Sequence, residues 1–129
     1  MSRTIQQTEV FKASPHAVYE ALMDSATHDA FSGSAASISR EVGGEFCAYD
    51  GYITGKNLEL VPDRKIVQSW RAVDWPEGHF STVTFLFTPI PEGTQLDFTH
   101  VDIPEGEESA FEEGWNDNYW EPMKEYLEK

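Results

Sequence analysis

Turn signals recur at short, even intervals between Gly43 and Gly93, and a chain divided that regularly is built for short antiparallel strands. Gly43-Gly44 opens the series and Asp50-Gly51 is a two-residue hairpin signal. Val61-Pro62-Asp63-Arg64, then Asp74-Trp75-Pro76-Glu77-Gly78, then Pro89-Ile90-Pro91-Glu92-Gly93 continue it. The stretches between them predict strands over 45–49, 52–60, 65–73, 79–88 and 94–101, a meander of about five. Their alternation separates two faces. Ile66, Trp70 and Ala72 oppose Val67, Ser69, Arg71 and Val73, and Leu96, Phe98 and His100 share one side.

Helical spacing brackets this meander. Residues 4–12 are compatible with a first strand, after which Ser14 and Pro15 form an N-cap and first-turn proline. Val18, Tyr19, Leu22 and Met23 then predict an amphipathic helix over 15–23. Asp24-Ser25 predicts a second short helix carrying Ala30 and Phe31, and 32–37 reads as a loop or weak edge strand. After Pro104-Glu105-Gly106, the apolar residues Phe111, Trp115, Tyr119, Met123, Tyr126 and Leu127 recur every three or four positions, which predicts a long closing helix. Gly114 is expected to let its backbone approach the sheet, and Pro122 to kink the helix or, alternatively, to end it.

Composition narrows the partners. Nine Lys and Arg against 23 Asp and Glu give a net charge of −14, a field that repels phosphate backbones and anionic headgroups, so neither nucleic acid nor a membrane is an expected partner. The 129 residues fit one domain, 1–129, and 13% aromatics supply large units of buried area. Cys47 is the lone cysteine and the N-terminus has no apolar leader, which together suggest a reducing, cytoplasmic compartment.

Several words of the sequence resemble one family. Phe11-Lys12-Ala13-Ser14-Pro15, Gly43-Gly44-Glu45-Phe46, Leu58-Glu59-Leu60-Val61-Pro62 and Ile66-Val67-Gln68-Ser69-Trp70 are similar to the activators of the heat-shock protein 90 ATPase. Trp75-Pro76-Glu77-Gly78-His79-Phe80, followed by Thr82 and Thr84, resembles the C-terminal domain of that co-chaperone. Gly114-Trp115, Tyr119-Trp120, Pro122 and Tyr126 complete the pattern. The resemblance implies an α+β helix-grip fold of the START-like, birch-pollen-allergen-like kind: a curved antiparallel sheet, two short helices and a long C-terminal helix. It also implies a non-catalytic interaction domain for the heat-shock protein 90 chaperone, here without the co-chaperone's separate N-terminal domain. The alternative is a carrier or sensor of a small hydrophobic ligand held between sheet and C-terminal helix.

Chemical motifs add little. The four histidines and Cys47 have no metal-ligand spacing, so no metal or other cofactor is expected. Cys47 and His100 both fall on predicted strands and are weighed as a nucleophile and base, against burial of a lone cysteine. No nucleophile elbow, phosphate loop or dinucleotide fingerprint occurs, and no catalytic residue is assigned. Trp75 either packs inward or meets a partner. Trp120 lies half a helical turn from Phe111, at the margin of the buried arc, and is expected to be the better surface contact. The candidate partner contacts are therefore Trp75, Pro76, Glu77, Phe80 and Trp120. The candidate lining of a ligand cavity is Phe46, Trp70, Phe85, Phe98, Phe111, Trp115 and Tyr119.

Overall fold

The computed structural model describes residues 3–24, 28, 36–48, 51–73, 75, 78–104 and 106–127. β1 (Arg3–Phe11) leads to α1 (Pro15–Met23), and then come β2 (Ser37–Ile38), β3 (Glu45–Ala48), β4 (Ile53–Val61), β5 (Lys65–Ala72), β6 (Ser81–Ile90) and β7 (Gly93–Ile103). The chain closes with α2 (Glu108–Trp115), a π-helical segment (Asn116–Trp120) and α3 (Glu121–Leu127). The strands form one antiparallel sheet in the order β1-β7-β6-β5-β4-β3-β2. This is the α+β helix-grip arrangement that the resemblance implied.

Local chemistry sets the boundaries. Ser14 Oγ accepts from the Ala17 amide at 3.2 Å and caps α1, with Pro15 in its first turn. Gly93 has φ +144°, and a Cβ there would lie 2.2 Å from the Phe11 carbonyl oxygen, so only glycine lets the β6–β7 hairpin pack beside the end of β1. Gly55 plays the same part inside β4, where a Cβ would sit 1.8 Å from the Ser69 carbonyl oxygen.

The predicted meander is present, flanked in the sheet by β1 beside β7 and by the two-residue β2 beside β3. β2 gives the 32–37 stretch an edge strand at Ser37, and residues 32–35 lie outside the described residues. The second short helix expected around Ala30 and Phe31 lies outside the described residues; His28, just before them, is helical and buried. β7 runs past Val101 because of a bulge: Ile5 pairs with His100 but Arg3 with Ile103, so β7 carries one extra residue. Asp102 takes it up with φ +63°, and Ile103 returns to the buried face.

Pro122 does not end the C-terminal helix. In an α-helix its ring would crowd the Asn118 carbonyl, and the turn before it is widened instead, with the Glu121 amide donating to the Asn116 carbonyl five residues back. That wider turn changes which side chains point inward. Trp115 and Trp120, about 140° apart on an α-helix, stack here at 5.6 Å with an interplanar angle of 21°.

Candidate functional site

The helix and the inner face of the sheet meet through aromatic rings. Trp70, from β5, lies 4.7 Å from Trp115, 6.3 Å from Tyr119, 6.4 Å from Phe46 and 6.4 Å from Phe111. Phe98 lies 4.4 Å from Trp115 and 5.2 Å from Phe85. All of these rings are buried except Phe111, which is half-buried. Among the described residues, the space between Phe46, Trp70, Phe85, Trp115 and Tyr119 is about 20 Å³. That is room for one water and far below the size of a small-molecule site. Phe85 and Phe98 therefore pack against each other in the interior, and Phe46 packs against Trp70.

Trp70, Phe111, Trp115 and Tyr119 also reach a second space. With Tyr52, Ile53, Ala110 and Gly114 they line an open groove of about 300 Å³ between α2 and the start of β4. Gly114 thus borders open space, where the sequence led us to expect a tight seam between helix and sheet.

A buried polar chain threads the aromatic layer. The Trp115 indole N–H donates to His100 Nδ1 at 3.0 Å, so that nitrogen is the acceptor and Nε2 carries the proton. Ser81 Oγ lies 2.6 Å from Nε2 and donates its own hydrogen to the Trp70 carbonyl at 3.0 Å. The imidazole therefore gives a hydrogen bond to Ser81 where a general base would accept one, and Ser81 is not activated as a nucleophile. Burial holds the His100 pKa down at about 3, which keeps the ring neutral. Cys47 is half-buried on β3, four strand positions from β7, and its neighbours Phe46 and Ala48 take the buried face of that strand. The weighed Cys47–His100 pair is not assembled. Among the described residues no three His, Cys, Asp or Glu side chains gather as metal ligands would.

The contacts expected at the surface divide. Trp75 is 4% exposed, 5.2 Å from the Phe111 ring and 6.4 Å from His100. Arg71 Nη2 donates to the Trp75 carbonyl at 2.8 Å, and His79 Nε2 donates to the Asp102 carbonyl at 2.8 Å. Packing is therefore what Trp75 does. The exposure expected of Trp120 is corrected outright. It is 0% exposed, and its indole N–H donates to Gln7 Oε1 at 2.7 Å, because the π turn rotates it from the margin of the buried arc to its centre. Phe80 is 52% exposed and stands on the outer face beside an open trough that includes Cys47, Thr54, Lys56 and Ser69. Pro76 and Glu77 lie outside the described residues.

Sequence reasoning passed over two polar organisers. Ser81 was hidden at the first position of a strand. Asn57, fully buried, donates to the Ser39 and Glu41 carbonyls at 2.7 and 3.1 Å and accepts from Gln68 at 3.0 Å. Its signal was an asparagine inside a strand pattern, where that residue is disfavoured unless its side chain is employed.

A curved antiparallel sheet closed by an aromatic C-terminal helix defines a START-like helix-grip protein. A family model described as "Activator of Hsp90 ATPase homolog 1-like protein" matches residues 12–128, and the chain belongs to that family. The human "Activator of 90 kDa heat shock protein ATPase homolog 1" is 35% identical over 117 residues, which are 91% of this chain and 35% of that protein. A Dictyostelium discoideum relative named as an activator homolog is 34% identical over 127 residues, 95% of this chain and 32% of that protein. The chain thus spans about a third of the length of these relatives. A solved structure described as an HSP90 activator from Plasmodium falciparum superposes with a TM-score of 0.88 at 31% identity, covering 98% of this chain and 96% of that one.

Proposed function

We propose that this chain is a single-domain interaction module that binds a chaperone of the heat-shock protein 90 class and modulates its ATPase without catalysing a reaction of its own. The observation that carries this reading is identity of 34–35% across more than nine-tenths of the chain with proteins named as activators of that ATPase. The charge of −14 supports a basic or mixed partner surface, and Phe80 is the aromatic of the family-like string that is exposed enough to anchor one. A reducing, cytoplasmic setting belongs to the proposal, supported by the lone Cys47.

The test is calorimetric titration of the chaperone at several salt concentrations, with ATP turnover followed in parallel. Saturable binding that weakens as salt rises, together with a change in turnover, is the expected result. Phe80→Ala should lower the affinity while leaving the melting temperature unchanged. Absence of binding with and without nucleotide would sink the reading.

A further inference from the structure

The groove beside α2 has an unusual chemistry for a molecule of this charge. One wall is helical, with Ala110 and Gly114 four residues apart on the same face, and their small side chains leave the space open. The other wall is Tyr52, Ile53 and Trp70, while Phe111, Trp115 and Tyr119 complete the lining. Five of these eight residues are aromatic and none is charged. A bound molecule must therefore be recognised by apolar contact and by the aromatic rings of the lining, and an aromatic ring attracts cations through its electronegative face.

The surroundings point the same way. Glu107, the N-cap of α2, and Glu113 stand three residues before and after Ala110, and Glu113 is exposed. The chain's charge of −14 adds a long-range field that enriches cations near the surface and depletes anions. The volume, about 300 Å³, is at the small end of ligand sites and suits one ring with a compact head group. From the uncharged aromatic lining, the acidic residues carried by the same helix and the field together, we infer that this groove binds a small organic cation with an apolar body, of the quaternary or arylalkyl ammonium class. This inference does not depend on chaperone binding, and either can fail alone.

The probe is benzyltrimethylammonium, with benzyl alcohol and phenylacetate as neutral and anionic comparisons. Because Trp70 and Trp115 face the groove, binding is read by tryptophan fluorescence, and amide chemical shifts locate it. Saturable binding of the ammonium about tenfold tighter than of the alcohol is expected, a difference of about 1.4 kcal/mol. Phenylacetate should not saturate, and shifts should centre on Tyr52, Ala110 and Gly114. Ala110→Leu, at an exposed helical position, should fill the mouth and weaken the ammonium about tenfold with the melting temperature unchanged. Gly114→Leu provides the same block one turn on, should the first variant fold poorly. Equal affinity for the three probes, shifts centred elsewhere, indifference to both folded variants, or no saturable change would each overturn the assignment.

Discussion

His100 combines an ordinary side chain with a site that forbids its charge. Rings of Trp70, Trp75, Phe98, Phe111 and Trp115 surround it, and its two nitrogens are committed to Trp115 and Ser81. Its folded pKa of about 3 lies below the ordinary 6.5, so the unfolded chain binds a proton that the native state refuses. The stabilisation is fully present above pH 6.5 and is lost as pH falls toward 3, at about 1.4 kcal/mol per pH unit. Denaturant titrations across that range should show the slope, and a folded His100→Gln variant should have a shallower one. Nitrogen chemical shifts of the ring should report a proton on Nε2 and none on Nδ1 at pH 5; a doubly protonated ring would contradict the assignment. Trp75 belongs to the same cluster, so Trp75→Ala is expected to destabilise the fold by about 3–5 kcal/mol, measured by chemical denaturation. A variant with unchanged stability and weaker chaperone binding would return Trp75 to the surface role.

At the level of elements, the C-terminal helix is where sequence pattern and structure part company most usefully. Regular turn chemistry made the strands legible, and Ser14-Pro15 marked α1, because those signals are local. The π segment is not local. It reconciles Pro122 with an unbroken helix while bringing Trp115, Tyr119 and Trp120 together onto the sheet, and a fixed 3.6-residue period therefore misplaced Trp120. The bulge at Asp102 was similarly hidden, since register depends on the partner strand β1. Trp120→Phe should remove the bond to Gln7 while keeping the ring, at a cost of about 1 kcal/mol. Gly114 lies in helix and borders open space, so Gly114→Ala should stabilise the protein by about 0.5–1 kcal/mol through helix propensity and reduced freedom of the unfolded chain. Both follow from thermal or denaturant unfolding, and a destabilised Gly114→Ala would show that the seam is tight there after all.

For the molecule as a whole, aromatic packing and surface charge have separate tasks. Among the described residues, the rings predicted to line an internal cavity leave about 20 Å³ between them, so the ligand chemistry moves to the open groove at the edge of the helix. Which of Phe46, Trp70, Phe85, Phe98, Phe111, Trp115 and Tyr119 reach that groove could not be read from spacing, because it depends on side chains far apart in the chain meeting around Trp70. The surface keeps its −14 charge and an exposed Phe80, which is the basis for a salt-sensitive protein partner. Titration of a heat-shock protein 90 class chaperone with this chain, at low and high salt and with ATP turnover measured in the same samples, tests that central claim most directly. The account predicts saturable, salt-weakened binding accompanied by altered turnover; no binding and no change in turnover at any salt concentration would contradict it.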